Sequence, residues 1–172
     1  MLSPVQIKNT IIEWLDESKE PYHVETPEEI GTDPIEFGII VGSEENKIMI
    51  YIPQSKKSRI VFNMHIIFTE KQREIIQSIS KEDFSNFILS LTDKMTIYEV
   101  YWTFQGEDQN LVDLQMFKSI DESALTKDRF YQTLERCEVV KSQIMRTIIH
   151  LLGSDEQIPL SSQSTADKPM YG

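Results

Sequence analysis

Val100–Phe117, VYWTFQGEDQNLVDLQMF, followed by Leu125–Leu152, LTKDRFYQTLERCEVVKSQIMRTIIHLL, decides the fold. In the first stretch Tyr98, Val100, Trp102 and Phe104 alternate with Glu99, Tyr101 and Thr103, and Val112, Leu114 and Met116 alternate with Asp113 and Gln115. A period of two belongs to half-buried antiparallel strands. Gln105 to Asn110, with Gly106 inside it, reads as the turn of a hairpin. The second stretch changes period. Phe130, Leu134, Cys137, Val140, Ile144, Ile148 and Leu151 recur at three-to-four spacing, which predicts one long helix. Thr126 is its expected N-cap, Asp128 suits the positive end of its dipole, and Gly153 is placed to end it.

Working back toward the N-terminus, Arg59 to Phe68 is the longest strand candidate. Ile60, Phe62, Met64, Ile66 and Phe68 share one face, with Asn63 and His65 on the other. Before it, Phe37 to Val41 and Lys47 to Ile52 flank a polar turn at Gly42 to Asn46 and read as a hairpin. Ile48, Ile50 and Ile52 face one way, Met49 and Tyr51 the other. Tyr22 to Thr26 is a further short strand, and Thr32-Asp33-Pro34 reads as loop. Ser3 with Gln6 makes a capping box ahead of Ile7, Ile11, Trp14 and Leu15, so the chain opens on a helix that ends before Pro21. Thr69 with Gln72 forms a second capping box, and Ser80 with Asp83 another start, so residues 70–92 form one helix broken at Ser80 or two helices.

The expected fold is α+β: an antiparallel sheet of five to six strands with an N-terminal helix, one or two middle helices and a long C-terminal helix. Residues 1–153 are expected to form a single domain. Ser154 to Gly172, rich in Ser, Gln, Asp and Pro without periodicity, is expected to be a disordered tail.

The 172 residues carry a net charge of −11. Nucleic acids and anionic membranes are bound through clustered Lys and Arg. The sole basic cluster in view is Lys56, Lys57 and Arg59, so neither partner is expected. One cysteine, Cys137, forbids an internal disulfide and sits on the apolar stripe of the long helix, where it reads as core. The N-terminus lacks the pattern of a signal peptide, and no window is apolar enough to span a membrane, so a cytoplasmic location is expected. His23, His65 and His150 show no metal-ligand spacing with one another or with Cys137, and no phosphate-binding or nucleophile-elbow glycine motif occurs. No catalytic residue, metal ligand or cofactor is assigned.

The functional hint lies on the second face of the sheet. Tyr101 and Phe117 fall off the core face of their hairpin, as Met49 and Tyr51 do in theirs. An apolar second face suits contact with another protein chain; coverage by a helix is the competing explanation.

The element order, and the run from Val100 to Leu152 quoted above, resemble YbjN-like proteins and the wider class with the type III secretion chaperone fold. The resemblance spans roughly residues 3–152. It implies a protein-binding, often homodimeric domain without cofactor, and carries over no catalytic residue. The reading that follows is a non-enzymatic protein-interaction domain, chaperone-like or regulatory, that forms a homodimer, with Met49, Tyr51, Tyr101 and Phe117 as the interface. The alternative is a helix-grip domain holding a small apolar ligand, lined by Met49, Tyr51, Met64 and Met116. A third reading, an enzyme with dispersed groups, puts His65 first.

Overall fold

The chain begins with a helix because the amides of Ser3, Gln6 and Ile7 find partners within the first turn and Pro4 has none to satisfy. In a computed structural model that describes residues 2–25, 29–30, 33–43 and 46–152, Ser3 caps α1 (Pro4–Ser18), and Gln6 returns the bond from its side chain. Ile7, Ile11 and Leu15 form its buried stripe. Two further capping predictions hold. Thr69 and Gln72 cap α2 (Glu70–Ser78), and Ser80 caps α3 (Lys81–Ile97), so the middle segment is two helices with the break at Ile79–Ser80. Thr126 accepts from the Arg129 amide at the start of α4 (Lys127–Leu152).

Between the helices run β1 (Tyr22–Glu25), β2 (Glu29–Ile30), β3 (Asp33–Val41), β4 (Ile48–Pro53), β5 (Arg59–Ile67), β6 (Tyr101–Glu107) and β7 (Asn110–Asp121). Six of them form one antiparallel sheet in the order β1-β3-β4-β5-β7-β6, and β2 pairs with the start of β3. The α+β layout expected from the residue pattern is the one observed.

All four helices pack on one face. Ile39, Ile50 and Phe62 lie side by side across three strands, as do Val41, Ile48, Met64 and Met116 across four. These side chains meet α1, α2, α3 and α4 in a single cluster. Phe130 of α4 is its hub, fully buried with ring centroids 5.7 Å from both Trp14 and Phe62 and 5.2 Å from Tyr131. Tyr131 also donates from its hydroxyl to the Trp14 carbonyl, tying α4 to α1. Farther along α4, Cys137 is fully buried, and desolvation pushes its thiol pKa up to about 12. It is a packing residue.

Three local expectations are corrected. Asp33 and Pro34 belong to β3 rather than to a loop, because β2 pairs with them. Tyr98 and Val100 are not strand residues. Leu91, Met95 and Tyr98 continue the helical spacing, α3 runs to Ile97, and the chain turns through Glu99 (φ 55°) before β6 starts at Tyr101. Val112 does not share the core face with Leu114. Gln105 pairs with Asp113 but Gly106 with Leu111, so Val112 is the extra residue of a β-bulge. The bulge turns Leu111 into the core and leaves Val112 39% exposed. Gly106 permits it at φ 120°, where a Cβ would lie 2.1 Å from the Asn110 carbonyl oxygen. Thr26, Thr32, Gly153 and the segment 154–172 lie outside the described residues.

Two outcomes follow. Phe130→Ala removes the hub ring and leaves a cavity, so urea denaturation should show a loss of about 3–5 kcal/mol. Cys137 should resist a disulfide-exchange reagent at pH 8, reacting roughly a thousandfold more slowly than an exposed thiol, until denaturant opens the core.

Candidate functional site

The opposite face of the sheet is built by the residues one step out of phase with the core. The register carries one row straight across five strands: Ile40 opposite Met49, Met49 opposite Asn63, Asn63 opposite Phe117, Phe117 opposite Tyr101. His23 extends it onto β1, opposite Ile40. Tyr51 stands in the next row, between Gly38 and Val61. The structure thus brings Met49, Phe117 and Tyr101 into one line, with Tyr51 beside it. None of these side chains joins the cluster into which the helices pack. The competing explanation, that a helix covers this face, does not hold among the described residues.

The four differ in what they present to a partner. Tyr101 is 75% exposed on edge strand β6, and Met49 and Phe117 are half-buried. Tyr51 is buried and offers little contact surface. Met49 lies over the flat left by Gly38, where a Cβ would approach its terminal methyl to 3.0 Å. Ile67, 66% exposed, adds apolar surface farther along β5, and its parity with Asn63 and His65 was readable beforehand.

The same face carries a polar pair. His65 Nε2 lies 3.1 Å from Asp113 Oδ2, across the β5–β7 ladder. Asp113 Oδ1 and Asn63 Oδ1 are buried without hydrogen-bond partners among the described residues. His23 and His150 are exposed. Among the described residues, no group of three or more His, Cys, Asp or Glu side chains is placed to hold a metal ion. No described helix is long and apolar enough to cross a membrane.

Met64 and Met116 are fully buried on the core face, whereas Met49 and Tyr51 stand on the opposite one, so the four do not line one cavity. An open cleft of about 510 Å³ lies instead between the end of α3 and the outer side of α4, lined by Ile97, Tyr98, Glu99, Glu135, Arg136 and Val139.

Comparison with known proteins places this geometry. No curated protein matches the chain. Among solved structures, an uncharacterized protein from Methanothermobacter thermautotrophicus is 20% identical, with 85% of this chain and 99% of that one covered and a TM-score of 0.71. The ExsC–ExsE complex contains a chain 12% identical, covering 85% and 96%, with a TM-score of 0.51. YbjN from E. coli is 14% identical, covering 84% and 93%, with a TM-score of 0.47. The expected resemblance holds at the level of fold through the chain in the ExsC–ExsE complex. The model of the family described as "Uncharacterized conserved protein (DUF2299)" matches residues 7–148, from the first turns of α1 almost to the end of α4, and the chain belongs to that family.

Proposed function

We propose that this chain is a non-catalytic protein-interaction domain, chaperone-like or regulatory in kind, that associates as a homodimer through the helix-free face of its sheet. The observation that carries the reading is the row Ile40, Met49, Phe117 and Tyr101 on that face, ending at the 75% exposed Tyr101 on an open sheet edge. A sheet face turned to water ordinarily alternates to polar residues. Here an aliphatic, a thioether and two aromatic side chains share a row that Asn63 alone interrupts, a composition that contact surfaces favour. The edge strand adds unpaired backbone groups, which a second strand can extend. The shared fold with a chain solved in the ExsC–ExsE complex supports a protein as the partner. The acidic net charge of −11 favours a partner with a basic surface beyond the apolar row.

The chain is proposed to form one domain over residues 1–153 and to work in the cytoplasm without cofactor, nucleic acid or membrane.

The test joins sedimentation equilibrium with affinity capture at moderate salt. The wild-type chain should self-associate at micromolar concentration. Tyr101→Glu with Phe117→Gln should weaken that association at least tenfold and abolish capture of any partner, while far-UV circular dichroism stays unchanged. A wild-type chain that is monomeric at ~100 µM and captures nothing overturns the reading.

A further inference from the structure

Strand β4 stops short of its neighbour. Its last pair with β5 is Ile48 with Met64, yet β5 continues through His65, Ile66 and Ile67, paired there with β7 alone. The sheet therefore has a notch beside the end of β5, and α4 passes beneath it. Lys141 of α4 rises into the notch, and its Nζ donates to the Lys47 carbonyl at 2.8 Å. The notch opens into a cleft of about 440 Å³. Its polar lining is Lys47, Asn63, His65 and Lys141; Ile40, Met49, Ile67 and Met145 supply most of the rest.

Two features of this cleft point to a ligand. Lys141 is only 6% exposed, and among the described residues a single backbone carbonyl meets its ammonium. Burial lowers its pKa. A buried ammonium without an anion is costly, and an anion seated beside it removes much of that cost. Asn63 is the second feature, 8% exposed with its Oδ1 unpartnered. Among the described residues, no Asp or Glu lines the cleft, although the chain as a whole carries 28 of them against 17 Lys and Arg. Cationic and amide groups thus share a mainly apolar cleft. The unpartnered Asn63 Oδ1 is an acceptor, which suits the hydroxyl or amide N–H of a ligand rather than a bare anion.

We propose that the notch between β4, β5 and α4 binds a small organic carboxylate, with its carboxyl group on Lys141 and its apolar body against Met49, Ile67 and Met145. The volume is within the range of small-molecule sites. Lys47 at the rim steers the anion, and Asn63 selects ligands that carry a donor next to the carboxyl group, such as a 2-hydroxy acid. The cleft shares Ile40, Met49 and Asn63 with the row proposed for self-association, whereas Lys141 and Met145 belong to the cleft alone.

Isothermal titration of the full-length chain tests this with straight-chain acids of four to eight carbons, their 2-hydroxy forms, the matching alcohols and amines, and inorganic phosphate. The acids should bind, the 2-hydroxy forms at least threefold more tightly, with no binding of alcohols or amines. Lys141→Met, which keeps the buried stem, should weaken binding at least tenfold at unchanged circular dichroism. Should that variant misfold, Asn63→Leu serves instead and should erase the preference for the hydroxy acids. Equal binding by wild type and Lys141→Met overturns the proposal, as does phosphate binding as tightly as any acid.

Discussion

The contact between Phe62 at the middle of β5 and Phe130 near the start of α4 is the pivot of the molecule. Phe62 is flanked on its strand row by Ile50 and Ile39, while Phe130 touches Trp14 of α1 and Tyr131 of its own helix. One ring pair thereby joins the sheet, the first helix and the last helix. The stripe of α4 beyond Phe130 follows at helical spacing, through Leu134, Cys137, Val140, Ile144 and Ile148, each in the same buried cluster. Fully burying side chains of this size contributes about 1.5–3 kcal/mol apiece. With the four described helices held to that side, none of them covers the sheet's other face.

Much of this was legible because the governing forces are local. Capping boxes at Ser3 and Thr69 and the cap at Ser80 depend on residues three apart, and the structure forms all three. Alternation along β4 and β5 depends on the strand pleat alone. What failed had non-local causes. The bulge at Val112 exists because Gly106 lets β6 slip one residue against β7, and nothing in the alternation of Val112, Leu114 and Met116 signals it. Tyr98 satisfies period two with Val100 and also continues the spacing of Leu91 and Met95; α3 runs to Ile97, and Tyr98 caps it with its side chain packed against the core.

The same division applies to the surface. That Met49, Tyr51, Tyr101 and Phe117 share a face follows from parity within each strand. That Met49, Phe117 and Tyr101 fall in one line follows from register, which the turns and the bulge set. The burial of Tyr51 was not readable either. Lys141 gave no sign in the sequence, since a lysine beside Val140 on a long helix looks like a solvated position. Its burial goes with a register feature that no local pattern signals: β4 begins opposite Met64, three residues short of the end of β5.

The order of strands bears on how the chain assembles. β3, β4 and β5 form one local meander, and β6 with β7 another hairpin. Their only ladder to each other is β5 with β7, closed across the excursion of residues 68–109 that holds α2 and α3. Loop-closure entropy must be met there before the pairing yields anything in return. The seam between β5 and β7 is therefore the described ladder with the greatest loop-closure cost, and the sheet exists as a single surface only once it has closed.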